Sequence, residues 1–270
     1  MAAMEKVDFR TAEPDAIIST LLHQGAVLLG NFVDTAVLAD AHGVMLKAYE
    51  ATEKKHVPPD LLRQLGLPMY SDVLFTPRHY DLIGKVFGGR DYWIDGNTLS
   101  RRVAGERQPP HWMMPLTPHL DAFVNTLEFT VNFWIPFQIC GIDAPSLAVV
   151  LAPFDEIVAY SGYQNGAEVW VDPEPLKGLT RFRPAMKALF CGSDPAVLAD
   201  MHERFHDRIR TPTFVPGDAM MISNYTLHFT HCTPEMTKRR ENLELRFLSS
   251  ASLADILCEH GITAGEASAV

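Results

Sequence analysis

The chain has 270 residues, enough for one large domain or one domain with a sizeable insertion. Hydrophobic residues make up 47% and charged residues 21%, an ordinary balance for a globular protein, and no apolar run is long enough to cross a bilayer. A net charge of −10 argues against a nucleic-acid partner, because a phosphate-tracking surface needs an excess of Lys and Arg.

The opening "MAAMEKVDFRTAEPD" carries acidic residues and no apolar segment, so it does not read as a signal peptide. Cysteines 140, 191, 232 and 258 form no C-x-x-C pair and read as thiols in a reducing compartment. The expectation is a cytoplasmic protein acting on a small molecule, with no membrane partner.

Residues 15–24, "DAIISTLLHQ", place apolar side chains at helical spacing until Gly25 stops them, and "AVLLGNF" follows as a short buried strand. An Asp then caps a second amphipathic helix, "DTAVLADAHGVMLKAYEA". Residues 51–90 are mixed, with a helix ending at "GKVFGGR"; its His79 reads as a helix-surface residue. From residue 92 the texture changes to short β-branched and aromatic runs bounded by Pro, Gly and Asp. These are "YWIDGNTLSRRV", "TLEFTVNFWIPFQI", "SLAVVLAP", "EIVAYSG", "DAMMISNYTLHF" and "RENLELRFLSS", all read as strands. The pattern predicts one domain over 1–270, with a helical region over about 1–90 and a mostly helical insertion over about 160–212. Its fold class is mainly β with surrounding helices, a sandwich or jelly roll.

Within the insertion, His202-Glu203-Arg204-Phe205-His206 spells H-E-x-x-H, the zinc-protease arrangement of two imidazoles one helical turn apart. No third ligand follows: "DRIRTPTFVPGD" supplies neither a downstream His nor a Glu on a partner helix. The plainer reading is an amphipathic helix burying Val197, Leu198, Met201, Phe205 and Ile209, with both histidines at its edge.

A second constellation is spread along the strands. His119 and Asp121 form H-x-D, and side chains at i and i+2 of a strand leave one face. About a hundred residues later a Pro-Gly-Asp turn leads into an apolar strand and then His228. Two histidines and one carboxylate leave three adjacent positions open on a non-haem Fe(II), suited to a bidentate co-substrate and O2. In "RENLELRF", Arg240, Asn242, Glu244 and Arg246 fall on one face, and Leu243, Leu245 and Phe247 on the other. If the apolar face packs under the amino-terminal helices, Arg240 and Asn242 point toward the metal, and Arg239 points away. Arg240 would then clamp the distal carboxylate of a 2-oxo acid with its planar donor fork, with Arg239 the alternative. Thr130, Asn132 and Trp134 alternate onto one strand face, and Asn132 and Trp134 are candidates for the pocket wall. Trp112, Met113, Phe123 and Arg102 are candidates for substrate contact, and His231 is a rival ligand to His228.

These motifs resemble the phytanoyl-CoA dioxygenase family of Fe(II)- and 2-oxoglutarate-dependent oxygenases. The likeness rests on H-x-D before a "WIP" strand, here "HLDAF…NFWIPF", on a P-G-D turn ten residues before the second histidine, and on the arginine opening the last strand. It implies a double-stranded β-helix (jelly-roll, cupin-like) core and Fe(II) held by His119, Asp121 and His228. It also implies 2-oxoglutarate anchored by Arg240 with Asn132, Trp134 and Asn242 around it, O2 as co-substrate, and hydroxylation, desaturation or ring closure of a small metabolite with release of succinate and CO2. The chain departs from the family at Leu120, where Gln is common, at "LAPFDE", where P-G-S-H is common, and in a loop from His228 to Arg240 about one residue longer. A zinc hydrolase built on residues 202–206 and a non-catalytic jelly-roll binding protein are the competing readings.

Overall fold

The computed structural model describes residues 4–52, 56–57, 59–102, 118, 120–121, 128–161 and 195–262. Helix α1 (Pro14–Gln24) buries Ile17, Ile18, Leu21 and Leu22 and ends at Gly25, whose φ of 79° is left-handed. A side chain there would also meet the Ala152 carbonyl oxygen at 2.8 Å, so glycine is required twice over. The chain turns directly into β2 (Ala26–Gly30), buried along its whole length. Strand β1 (Lys6–Asp8) lies parallel to β2 and was not anticipated from the sequence. Asp34 accepts from the amides of Ala36 and Val37 and caps α2 (Thr35–Thr52), as the sequence suggested. Beyond β3 (His56–Val57), α3 (Pro59–Gln64), α4 (Tyr70–Leu74) and α5 (Pro77–Val86), the β-rich part begins with β4 (Tyr92–Arg102).

The large sheet continues through β5 (Glu128–Pro136), β8 (Ala219–Ser223) and β10 (Arg240–Ser252) in the order β1-β2-β8-β5-β10-β4-β3. A smaller sheet runs β7-β6-β9, from β6 (Ser146–Val150), β7 (Ile209–Arg210) and β9 (His228–His231). One face of the large sheet carries Val27, Leu29, Val131, Phe133, Ile135, Leu243, Leu245 and Phe247 into a core shared with α1 and α5. The other face carries Ala26, Leu28, Trp134, Met220 and Ile222 into a second core, shared with Leu147 and Val149 of the small sheet. The architecture is therefore layered: helices, large sheet, small sheet. It is mixed α/β rather than mainly β. Among the described residues no helix is long and apolar enough to cross a membrane.

Two stretches read as strands differ in the structure. "EIVAYSG" belongs to helix α6 (Phe154–Ser161), where Phe154 and Ile157 at i and i+3 point into the core and Asp155 and Glu156 sit in the first turn. A run of apolar residues this short does not distinguish strand from helix, and Pro153 at its start favours the helix. "DAMMISNYTLHF" is not one strand but two, β8 and β9, separated by a turn in which Ser223 and Thr226 bond each other through backbone and side chain. That turn carries the chain from the large sheet to the small one. Of the insertion expected over about 160–212, the described part holds the end of α6, helix α7 (Pro195–Phe205) and strand β7; residues 162–194 lie outside the described set.

His79 is not on a helix surface. It is buried, 4% exposed, among Phe9, Phe32 and Phe75 with ring centroids 4.6 Å away in each case. The Thr76 amide donates to Nδ1 at 3.0 Å, so the proton resides on Nε2, which donates to the Phe32 carbonyl at 2.7 Å. Burial lowers its pKa from 6.5 to about 4, outweighing the backbone bonds that favour the charged form. Folded His79 therefore stays neutral where the unfolded chain takes up a proton. Its contribution to stability is complete above about pH 6.5 and declines as pH falls toward 4. Between pH 7.5 and 5 this group should remove about 2 kcal/mol of unfolding free energy. Urea unfolding of the wild type and His79→Gln at both pH values checks this, because the variant should lack that part of the pH slope.

Candidate metal centre

The layering brings the inner faces of two sheets together, and the polar residues of the predicted site lie there. The Pro-Gly-Asp turn is fixed first. Asp218 accepts from Lys6 Nζ at 2.6 Å and from the Val215 amide at 2.9 Å, while Gly217 adopts a φ of 94°. Strand β8 follows, the Ser223–Thr226 turn crosses to the small sheet, and β9 opens with His228. The His228 ring is oriented by the Thr226 carbonyl, which accepts from Nδ1 at 2.8 Å. A carbonyl oxygen only accepts, so Nδ1 is the donor of that bond and Nε2 is the nitrogen turned toward Asp121. That nitrogen lies 3.9 Å from Asp121 Oδ1.

Asp121 is held from its other side. Its Oδ2 accepts from Arg246 Nη2 at 2.7 Å and from Asn132 Nδ2 at 2.8 Å, and Arg246 Nε donates to Asn132 Oδ1 at 3.0 Å. Arg246 and Asn132 are directly opposed in the β10–β5 ladder. Asn132, predicted as a wall of the co-substrate pocket, is thus bonded to a predicted metal ligand. Arg246 was seen only as a member of the polar face of β10. Its cross-strand partner could not be read without the register, although its parity with Arg240 was a usable signal.

Arg240 and Arg239 separate cleanly. Arg239 is nearly half exposed and pairs with Glu241 at 3.1 Å on the other face of β10, where the buried Glu241 also meets His42 at 2.5 Å. Arg240 is buried between the sheets, its guanidinium 5.5 Å from the Trp134 ring centroid. Arg240 Nη1 reaches the Ser146 carbonyl and the Thr230 hydroxyl, each at 3.5 Å. Trp134 in turn packs on Phe214 at 4.8 Å. Cys140 shares this core, and burial pushes its thiol up to about 12 against the opposing pull of Arg240, so it is an inert thiol. Asn242 is fully buried and donates to Glu244 at 3.3 Å, in line with its placement on the inner face.

The structure thus brings together Asp121, His228, Asn132, Arg240, Asn242 and Trp134 between the sheets. His119, Trp112, Met113 and Phe123 lie outside the described residues, as does the Arg102 side chain, although its backbone pairs with Arg240 in the β4–β10 ladder. Among the described residues no three His, Cys, Asp or Glu side chains converge as a metal-binding group. His231 lies on the opposite face of β9 from His228 and Thr230, half-buried, its pKa lowered by burial. His202 and His206 are both exposed, and the helix ends at Phe205, so His206 leaves the helical repeat that H-E-x-x-H requires. Met201 and Phe205 are buried as the amphipathic reading expects; Ile209 is buried too, but in β7 rather than on the helix, and the Val197 and Leu198 side chains lie outside the described set.

No protein-family model matches the sequence, and no curated protein resembles it in sequence. Solved structures do share its fold. AviO1 from Streptomyces viridochromogenes Tue57 matches with a TM-score of 0.53 at 12% identity, over 90% of this chain and 97% of that one. The epimerase SnoN, in its complex with Fe3+, alpha ketoglutarate (2-oxoglutarate) and nogalamycin RO, matches at 0.53 and 14%, over 88% and 84%. The non-heme alpha ketoglutarate dependent carbocyclase SnoK from nogalamycin biosynthesis matches at 0.53 and 9%, over 91% and 87%. At these identities the likeness is one of fold, and non-heme alpha ketoglutarate dependent enzymes use that fold.

Because His202 and His206 face solvent, a double His202→Ala, His206→Ala variant should change unfolding free energy by no more than about 0.5 kcal/mol. Its metal content after reconstitution should equal that of the wild type. Zinc retained by the wild type and lost by this variant would restore the hydrolase reading.

Proposed function

We propose that this chain is an Fe(II)- and 2-oxoglutarate-dependent oxygenase with a jelly-roll (double-stranded β-helix) core, acting on a small molecule. One observation carries the reading: a carboxylate oxygen and an imidazole nitrogen approach to 3.9 Å while the remaining atom of each is occupied by the protein. The donor set fits the metal, since one histidine nitrogen and one carboxylate oxygen face the same point, each fixed from behind. His119, two residues before Asp121, is the third ligand proposed, on the sequence motif alone. The facing sheets and the order of their strands support the jelly-roll assignment, and the fold of SnoN and SnoK supports the class.

Bound there with 2-oxoglutarate and O2, the iron supplies oxidation of a substrate C–H bond coupled to formation of succinate and CO2. The chain's own contribution is position and exclusion of water. Arg240 offers a planar donor fork to the distal carboxylate of 2-oxoglutarate, in a buried setting where such a bond is strong. Trp134, Met220, Ile222, Leu147 and Phe214 form the dry flank of that pocket. Asn242 and Glu244 continue the polar inner face of β10 and are proposed to meet the polar end of the bound molecules. Trp112, Met113, Phe123 and Arg102 remain the proposed substrate contacts. Hydroxylation, desaturation and ring closure are all open to this class of centre, and SnoN and SnoK, an epimerase and a carbocyclase, differ in their reactions. The free, exposed thiols of Cys232 and Cys258 suit a reducing, cytoplasmic setting.

The test is an anaerobic titration of metal-free protein with Fe(II) and then 2-oxoglutarate, following the visible iron-to-ligand charge-transfer band. The wild type should develop the band; His119→Ala and His228→Ala should not. Arg240→Leu should weaken 2-oxoglutarate binding by about ten- to a hundredfold, the worth of a charge-assisted hydrogen bond. Arg239→Ala should leave it unchanged. A wild-type chain that takes up Fe(II) but shows no response to 2-oxoglutarate would overturn the assignment.

A further inference from the structure

We infer that Arg246, acting with Asn132, is a positioning residue that restricts Asp121 to binding the metal through one oxygen. The inference rests on the reading of Asp121 and His228 as metal ligands and concerns how the carboxylate is used.

An ionised carboxylate has two oxygens and about four acceptor sites, so nothing intrinsic stops it from chelating a cation with both. Here the two oxygens are treated differently. Oδ2 accepts two bonds, from Arg246 Nη2 at 2.7 Å and Asn132 Nδ2 at 2.8 Å, and Oδ1 is the oxygen directed at His228 Nε2. The bond from Arg246 Nε to Asn132 Oδ1, at 3.0 Å, closes a ring of three side chains in which each touches the other two. This ring also fixes the amide orientation of Asn132. Turned over, Asn132 would set its NH2 against the guanidinium and its oxygen against the carboxylate.

The sheet is built to place this ring. Arg246 and Asn132 are opposed across β10 and β5, and the position opposite Arg246 on β4 is Gly96, which brings no side chain to compete for the guanidinium. The β10–β4 register shifts between Arg246 and Phe247, and such bulges re-aim side chains beside functional sites. Arg246 and Asp121 side chains are 22% and 13% exposed, so the pair is shielded enough for its charge-assisted bonds to compete with a bound metal for Oδ2.

The consequence concerns the open coordination positions. Were iron held by the three proposed ligands together with a bidentate 2-oxo acid, one-oxygen ligation by Asp121 would leave a last position open for O2. A carboxylate using both oxygens would fill that last position. Holding Oδ2 away from the metal therefore keeps the centre reactive toward O2, a role distinct from neutralising a partly buried charge.

The experiment uses the full chain reconstituted with Co(II), whose visible absorption reports coordination number, for the wild type, Arg246→Gln, Arg246→Lys and Asn132→Leu. Near-UV circular dichroism monitors folding, and Fe(II)-supported 2-oxoglutarate turnover runs in parallel. Arg246→Gln should still bind Co(II) but with an altered absorption spectrum. Its kcat should fall by about ten- to a hundredfold, the usual effect of losing a partner that orients a ligand. Its KM for 2-oxoglutarate should stay within about threefold. Arg246→Lys, which keeps a cationic donor for Oδ2, should recover part of both signals, and Asn132→Leu should shift the spectrum the same way by less. If Arg246→Gln loses its native dichroism, Asn132→Leu decides the matter. Variants that bind Co(II) with the wild-type spectrum and retain kcat overturn the inference while leaving the metal reading intact. A wild-type chain that binds neither Co(II) nor Fe(II) overturns both.

Discussion

A strand that is aliphatic on one face and charged on the other can be buried only if both faces find partners, and β10 imposes this constraint on the whole molecule. Leu243, Leu245 and Phe247 enter the helix-side core, where Phe247 stacks on Phe75 at 5.7 Å and meets Phe133 at 6.0 Å. Arg240, Asn242, Glu244 and Arg246 are thereby committed to the opposite face. A charge on that face is expensive to desolvate unless it is paired or hydrogen-bonded. The neighbouring strands answer with Asn132 for Arg246, Trp134 and Ser146 for Arg240, and a polar turn that brings His228 and Thr230 in from the small sheet. The site is the solution to a burial problem that the strand itself creates.

Function is thereby tied to the spacing between the sheets. His228 and Thr230 come from the small sheet, Arg240, Asn132 and Arg246 from the large one, and the layer between them is the core of Trp134, Met220, Leu147, Val149 and Phe214. Packing at that density transmits any change of volume to its surroundings. A truncation at Trp134 or Phe214 would therefore act on the separation of Arg240 from Thr230 as well as on stability. The Ser223–Thr226 turn occupies a similar position. It sets where the chain crosses between sheets, and its Thr226 carbonyl orients the ring of His228.

Much of this was legible in the sequence because it depends on parity along a strand. Alternation in "RENLELRF" sufficed to send Arg240 inward and Arg239 outward, and Gly25 and Asp34 marked helix limits through local backbone chemistry. What could not be read depends on register or on tertiary surroundings. Arg246 lies opposite Asn132 through a ladder that no single strand encodes. His79 looked like a surface residue because helical spacing says nothing of the phenylalanines that Phe9, Phe32 and Phe75 bring from elsewhere in the chain. "EIVAYSG" has a strand's composition, yet its Ile157 is buried alongside Phe154, one turn earlier on the same helix. HERFH misleads for the complementary reason, since a five-residue spacing has meaning only if the helix continues, and here it ends at Phe205.

The choice between Arg239 and Arg240 can be understood on the same footing. A loop of variable length would change which arginine faces inward only if loop length set the phase of β10. It does not, because a strand's phase is fixed by what its faces bury and by its ladder partners. Pairing of Leu243 with Ile135 and Leu99, and of Leu245 with Phe133 and Asn97, locks the aliphatic residues to the helix side. The loop between Cys232 and Arg239 is tied down separately, with the Met236 amide donating to the Thr233 carbonyl and Lys238 paired with Asp143 at 2.7 Å. Shifting β10 by one residue to bring Arg239 inward would turn Leu243, Leu245 and Phe247 out of the aromatic core and carry Arg240, Asn242, Glu244 and Arg246 into it. Charged side chains left unpaired in an apolar core are expensive to desolvate, so that alternative lies well above the observed register. Arg240 is therefore held in place by three hydrophobic residues that never touch the site.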